Sequence, residues 1–575
     1  MSGLEPSVDW TPLRARVAFW AILLFAAVVR LAHLAAVFDA PFVRQLALDS
    51  QEYDRWAREI VAGDWLGSAP FFQAPLYPYL VAALYALFAA APVTVHLAQI
   101  AAAIAGCAAL MACGRRFGGP ALGLVTGAFF ALYQPFWFHD VQLLKESFAT
   151  SGVCLLLLLL AEARHSDSGR LWLGAGAVAG GVALLRENML LVVPFLLPLA
   201  WMRGSPGKRR LARAALFLCG VALPLLPVAA RNAALAAGAE TFLPTTSQGG
   251  VNFWIGNNPQ ADGTYRPLVP GKQIPAYERE EARRLAERAM GRNLAAGEVS
   301  RYWLGRALAW ARQHPADFLR LEWRKLRLYW SGYEWPDAVD YYWMKSISPP
   351  LGWPGLEFMA TAILALAGAV LVRRELGLWS PVWLFELGWM VTTVAFFLFS
   401  RYRLPAVPGL LLLAAVPVVR TGALWRAGRR GTALAASALV AAVWAAPHLA
   451  GYEPRVDLVE FNLGRLAEER GDGEAAANHY ERALAADPRH LSATLNLGNL
   501  AARAGDYPRA LKRFEAAVEI APDSDDAQAN LGGARLALGD FEGARRALAR
   551  ALELNPENCF ARHNLGLLER HGSER

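Results

Sequence analysis

The sequence predicts an all-α chain: a polytopic bundle of membrane helices followed by a solenoid of short helix pairs. Three observations lead there. Hydrophobic residues fill 55% of the 575 positions and charged residues only 18%, too apolar for a soluble enzyme of ordinary build. Apolar runs at 17–37, 121–138, 153–161, 211–230, 356–372, 389–399 and 409–419 form or anchor segments near the length that crosses a bilayer. Beyond residue 457 the chain repeats itself every 34 residues.

The first run, VAFWAILLFAAVVRLAHLAAVF, is too long for a signal-peptide core and lacks a convincing cleavage site, so it reads as a retained span. Orientation follows from the basic turns. Arg115-Arg116, Arg164 with Arg170, Arg203 with Lys208-Arg209-Arg210, Arg373-Arg374 and Arg426 with Arg429-Arg430 suit the cytoplasmic side. An inside N-terminus then puts 38–74, the turn at 139–142, the long segment 233–350, the turn at 400–403 and the repeats outside. Two apolar runs, 75–91 and 93–113, separate the outside loop from the inside pair Arg115-Arg116, where parity requires an odd number of crossings. One of them is expected to be re-entrant or to lie along the surface, for a total of about eleven spans.

The net charge of +8 is unevenly placed. The stretch 457–575 carries about five net negatives, leaving roughly +13 on the membrane part. That excess suits the cytoplasmic membrane face and anionic lipid or phosphate groups. No nucleic-acid-binding signature appears. The five cysteines have no metal-ligand spacing, and neither disulfides nor zinc fingers are expected.

Residues 301–335 interleave Trp303, Trp310, Trp323 and Trp330 with Arg306, Arg312, Arg320, Arg324, Lys325 and Arg327, broken at Pro315. Two amphipathic helices are predicted. They lie in the membrane interface or pack on the outside segment with solvated basic faces.

In the tail, Asn462-Leu463-Gly464 recurs at Asn496, Asn530 and Asn564, and Pro488, Pro522 and Pro556 keep the same period. This resembles the tetratricopeptide repeat, a pair of antiparallel helices per unit. The small residues let the helices approach, and each proline ends a second helix. The domains are then 1–450 for the membrane part and 451–575 for the repeats, with units at 457–490, 491–524 and 525–558 and a final helix at 559–571. Such a tail is expected to hold a protein partner.

Asp49 and Tyr53 are four apart, so a short helix puts them on one face. Ile60, Gly63, Asp64 and Trp65 follow, then FFQAPLYPYL at 71–80. This order resembles the first external loop of the GT-C membrane glycosyltransferases, in the protein mannosyltransferase and lipid A aminoarabinose transferase branch. Residues 231–263 and SRYRLPAVP at 400–408 are similar to less studied bacterial members, and the resemblance covers most of 15–420. It implies an integral protein of the bacterial cytoplasmic membrane with its site outside. There it would transfer a sugar from a polyprenyl-phosphate donor to a protein, lipid or glycan acceptor. Asp49 would be the base, with inversion at the anomeric carbon. A single displacement needs one such carboxylate, beside the sugar's reactive carbon. The departing phosphate needs cations or a metal to meet its charge.

The second constellation is FHDVQLLKES, 138–147. The family often carries a second acidic residue here, which matches Asp140. With His139 it is a candidate to hold a divalent metal ion or to orient the acceptor, and Lys145 to meet phosphate. An interfacial pair of Asp140 with Lys145 is the plainer alternative. The third is RYRLPAVP: Arg401 and Arg403 sit at the outer end of a span, against the usual charge bias. Phosphate binding or snorkelling to headgroups accounts for them. Arg186, opening RENML, is a weaker phosphate candidate. Asn257 and Asn258, in GNNPQADG, form a turn or touch sugar hydroxyls. The aminoarabinose branch has a lysine next to the loop-1 proline, where this chain has Ala74 after Gln73.

No α/β unit with a glycine-rich phosphate loop is visible, which disfavours a nucleotide-sugar donor. Two rival functions are a lipid-linked sugar transporter or flippase and a membrane-anchored repeat scaffold without catalysis. A transporter predicts mid-depth charges and matching halves, and a scaffold needs only one span.

Overall fold

The computed structural model describes residues 12–166, 168–201, 207–235, 243–269, 275–449 and 451–573. Arg203 and residues 236–242 of the 231–263 motif therefore lie outside the described residues. Every named element is helical. The chain divides into two compact units. The first comprises 1–265, 282–337 and 344–453; the second comprises 266–281, 338–343 and 454–575.

The first unit opens with α1 (Pro12–Val37), α2 (Asp49–Val61) and α3 (Leu76–Leu87). Next come α4 (Pro92–Leu132), α5 (Gln134–Asp140), α6 (Glu146–Ser166), α7 (Gly169–Ala183), α8 (Met189–Leu196) and α9 (Gly207–Leu235). The outer segment holds α10 (Gly249–Gly256), α11 (Pro275–Met290), α12 (Ala296–Gln313), α13 (Pro315–Tyr329), α14 (Tyr341–Ile347) and α15 (Pro349–Gly352). The remainder is α16 (Phe358–Val372), α17 (Leu376–Val394), α18 (Ser400–Arg403), α19 (Val407–Arg426) and α20 (Arg430–Leu449). Among the described residues, six segments are long and apolar enough to cross a membrane: 13–37, 92–132, 146–166, 207–235, 400–426 and 430–449.

Two of these elements bear on how the chain is threaded. Helix α4 is not one rod. Gly118 and Gly119 leave helical geometry, and Gly119 takes φ 76°, which only glycine holds without penalty. The arms 92–117 and 120–132 fold back on each other. A Cβ on Gly123 would stand 2.5 Å from the Met111 carbonyl oxygen, so the hairpin needs glycine there. Helix α3, by contrast, is a short element of 12 residues. Its start is tied to the Leu184 carbonyl (3.2 Å). Near its end Tyr85 donates to Asp54 of α2 (2.6 Å). Both ends thus meet elements around Asp49, and α3 lies along α2.

The centre of the unit is α4, α6 and α19, where 407–416 is buried throughout. Outward, α1 exposes Leu13, Val17, Trp20, Leu24, Val28 and Leu31. That stripe at helical spacing suits lipid rather than water. Helices α12 and α13 break where expected, at His314-Pro315. Trp303 is buried with its indole N–H donating to the Ala282 carbonyl (2.9 Å), and Lys325 is fully buried. Leu319 and Trp323 stay exposed.

The second unit contains three antiparallel pairs: α21 (Val456–Glu469) with α22 (Gly473–Ala486), α23 (Leu491–Arg503) with α24 (Tyr507–Ile520), and α25 (Asp525–Ala537) with α26 (Phe541–Leu554). A last helix, α27 (Cys559–Ser573), follows. The repeat explains itself physically. Gly471, Gly505 and Gly539 end the first helices at φ near 80°. The next residues, Asp472, Asp506 and Asp540, cap the second helices by accepting backbone N–H groups at 2.9, 3.1 and 2.9 Å. Gly464, Gly498 and Gly532 of the Asn-Leu-Gly triplets are points of close approach. A Cβ there would fall 2.6 Å from the Tyr480 ring, 2.4 Å from the Phe514 ring and 2.5 Å from Leu548. The unit also takes in 338–343: Asn462 donates its amide to the Ala338 carbonyl (2.8 Å), and the Arg455 N–H to Asp340 (3.1 Å).

Candidate active site

The site begins with Leu48. It holds φ 51° and ψ −124°, a backbone shape L residues avoid, and its carbonyl accepts the first helical N–H of α2, from Glu52 (3.0 Å). Asp49 therefore opens α2, where a carboxylate is favoured by the helix dipole. One turn on, Tyr53 is buried edge-on against Tyr77, with ring centroids 5.1 Å apart. Asp49 and Tyr53 share a face as the spacing predicted, and both line a cavity of about 300 Å³.

The cavity gathers three cations. Arg401 Nη2 meets Asp49 Oδ2 at 2.7 Å and Asp337 Oδ2 at 2.8 Å. Arg186 pairs with Glu146 and lies over the Tyr402 ring, 4.6 Å from its centroid. Lys145 is buried in the wall and makes no hydrogen bond with a described residue; burial pulls its ammonium below its ordinary value. Arg401 Nε and Nη1 and Arg186 Nε are buried donors without acceptors among the described residues. Unmet buried donors are costly, so these three, with the Lys145 ammonium in the same wall, suit an anion. The rest of the wall is polar on one side, with Glu187, Thr245, Thr246, Gln248 and Asn252, and apolar on another, with Leu190, Leu191, Phe396 and Phe397. Glu187 accepts from Gln248 Nε2 (2.7 Å) and Thr246 Oγ1 (3.3 Å). Burial drives the Tyr53 hydroxyl well above its ordinary value, with Asp49 adding to the push, so Tyr53 stays a neutral donor. Asp337 is pushed up to about 6 by burial against the pull of Arg401.

Several residues singled out in the sequence stand elsewhere. Asp140 does not face the cavity: its Oδ2 accepts from Arg30 Nε (2.8 Å) and its Oδ1 from the Ser147 hydroxyl (2.6 Å), all three buried. Glu146, six residues on, is the carboxylate of this stretch that joins the cationic cluster. Arg403 turns away from Arg401, because residues two apart on a helical turn point to different sides. It donates to the carbonyls of Tyr329 (3.0 Å) and Ser331 (2.6 Å) and pairs with Glu334 (2.9 Å), clamping the loop after α13. Asn257 and Asn258 finish α10 rather than line the cavity. Asn257 donates to Phe253 and Ala395 carbonyls (2.9 Å each), and Asn258 to that of Trp254 (2.9 Å). The lysine position of the aminoarabinose branch is the buried Ala74, and Lys145 is the lysine in the wall.

Asp140 is not placed to join His139 as a metal pair, since its Oδ2 is taken by Arg30 and its Oδ1 by Ser147. No cluster of three or more His, Cys, Asp or Glu side chains suited to a metal occurs among the described residues.

Sequence reasoning missed Arg30, Glu146, Glu187 and Asp337. Arg30 had a signal, a charge inside an apolar run. Glu146 and Glu187 each stand beside a cation already chosen, Lys145 and Arg186. Asp337 had no signal, since nothing local ties it to Arg401.

Residues 72–231 match the family model described as dolichyl-phosphate-mannose-protein mannosyltransferase. Residues 461–525 and 501–565 match two tetratricopeptide-repeat models. No curated protein matches the chain. Similar solved structures include the first TPR domain of the human RPAP3 protein (25% identity, 21% of this chain and 94% of that one, TM-score 0.20). Others are the Arabidopsis OM64 TPR domain (22%, 20% and 96%, TM-score 0.20) and MamA from Desulfovibrio magneticus RS-1 (22%, 27% and 84%, TM-score 0.20). The TM-scores carry no weight here; the family models and the helix pairs do. The matched stretch 72–231 holds Lys145 and Arg186 of the cavity, with Glu146 paired to Arg186, and from it follows the assignment: this chain carries a GT-C-type membrane domain of the dolichyl-phosphate-mannose-protein mannosyltransferase family, with tetratricopeptide repeats at its C-terminal end.

Proposed function

We propose that this mannosyltransferase takes its sugar from a polyprenyl-phosphate donor and delivers it, with inversion, to a hydroxyl of a protein, lipid or glycan on the extracytoplasmic side. The observation that carries the reading is one cavity wall bearing a carboxylate, Asp49, together with Arg401, Arg186 and Lys145. The acceptor oxygen attacks the anomeric carbon, its proton passes to Asp49, and the bond from that carbon to the phosphate oxygen breaks. The electron pair leaves with polyprenyl phosphate, whose growing charge the three cations meet. The apolar stretch at Leu190, Leu191, Phe396 and Phe397 is the path for the first isoprene units. The polar wall from Glu187 to Asn252 is placed to hold sugar hydroxyls.

The eleven-span reading draws support from α3 and α4. With α3 lying flat, the crossings are α1, the two arms of α4, α6, α7, α8 with its following turn, α9, α16, α17, α19 and α20. The basic turns then fall on one side and Asp49, Lys145, Arg186 and Arg401 on the other. The repeats would hold a peptide segment of an acceptor or assembly partner.

The test uses the full chain in vesicles with polyprenyl-phosphate [3H]mannose. Asp49→Asn should cut sugar transfer by about a hundredfold to ten-thousandfold while the protein remains folded. Undiminished transfer, or movement of the intact donor across the bilayer without turnover, sinks the reading.

A further inference from the structure

The segment 333–337 is fastened to α18. The Trp335 N–H donates to Ser400 Oγ at 2.6 Å, and the Ser400 N–H to the Trp335 carbonyl at 3.2 Å. Two residues on, Asp337 Oδ2 meets Arg401 Nη2 at 2.8 Å, the same nitrogen that meets Asp49 Oδ2 at 2.7 Å. That nitrogen donates to Asp49 and at the same time forms an ion pair with Asp337. A guanidinium left with one carboxylate takes it with two parallel bonds. Here it does not. Arg401 Nε and Nη1 are buried without a hydrogen-bond partner, and Asp49 is reached through one oxygen only.

We propose that Asp337 is a positioning residue: it withholds Arg401 from a two-pronged grip on Asp49, so that the second Asp49 oxygen stays free for the acceptor's proton and the unused edge of Arg401 stays free for phosphate. This rests on reading Asp49 as the base. The charged groups facing Asp337 are Arg401 of α18, Asp49 of α2, Glu146 of α6 and Arg186 after α7. Two of them repel it and two attract it. Without Asp337, Arg401 is free to take both oxygens of Asp49, and a carboxylate gripped in that way is a poorer acceptor of the substrate's proton. Donor binding does not need Asp337, because removing a carboxylate from beside the phosphate site takes away repulsion.

The experiment follows release of [3H]mannose to water from polyprenyl-phosphate [3H]mannose by the full chain in vesicles, across pH. Asp337→Asn should lower kcat near neutral pH about three- to tenfold, leave KM within about twofold, and move the acid limb of the rate profile down by about one pH unit. Asp337→Glu should restore rate and limb. A residue that only held the fold would raise KM and leave the limb in place. That result, or a wild-type profile for Asp337→Asn, overturns the proposal alone, provided the native chain turns over and Asp49→Asn does not. If the native chain releases no sugar, the transfer reading falls and this inference falls with it.

Discussion

Replacing Arg30 with methionine removes the cation from a carboxylate that has no water to turn to. Arg30 is 0% exposed and Asp140 2%, and their 2.8 Å contact is backed only by the Ser147 hydroxyl. Breaking a buried pair by deleting one partner costs about 3–5 kcal/mol, because the other charge is stranded. Arg30→Met and Asp140→Asn should therefore each lose about 3 kcal/mol or more of stability, roughly a hundredfold in the unfolding equilibrium. The double variant strands no charge, so it should recover most of that loss, with a coupling of about 2–3 kcal/mol. Denaturant unfolding in detergent micelles reads the stabilities, and sugar release from the same preparations reads the activity. If Asp140 serves only to seat the α5–α6 turn that carries Lys145 and Glu146, activity returns with stability in the double variant. A double variant that is stable yet inactive would refute this and return Asp140 to the chemistry that family resemblance implies for it.

Two further outcomes follow from contacts already described. Arg403→Met should destabilise the loop after α13 by about 2–4 kcal/mol, while KM for the donor in the surviving folded fraction stays within about twofold; a large rise in KM would give Arg403 the phosphate role that its sequence position suggests. Gly464→Ala puts a methyl group 2.6 Å from the Tyr480 ring, and should cost the repeat unit about 1–3 kcal/mol. Limited proteolysis of the full chain should then cut within 456–486 sooner, and unchanged cleavage would argue against the tight helix contact.

Much of this was legible in the sequence because it is local. A 34-residue period needs only its own glycines, aspartates and prolines to declare helix pairs, and Asp49 with Tyr53 needed only the pitch of one helix. What was not legible depends on residues hundreds of positions apart. Arg401 and Arg403 look alike in SRYR, yet one turns to Asp49, 352 positions away, and the other to main-chain oxygens nearby. Asp140 looked chemical because a carboxylate between spans needs a reason. Its reason is Arg30, 110 positions earlier in an apolar run. Spacing settles which face a side chain takes; it does not say who waits there.

The grouping of Lys145 with Arg186 and Arg401 in one wall has a wider bearing. Three like charges held close together repel one another, and a bound anion would relieve that repulsion. Anything that binds the native form alone stabilises it in proportion to its supply, by about 2.7 kcal/mol at a hundred times the dissociation constant. On the proposed reaction, the lifetime of this protein in its membrane would follow the abundance of its carrier lipid.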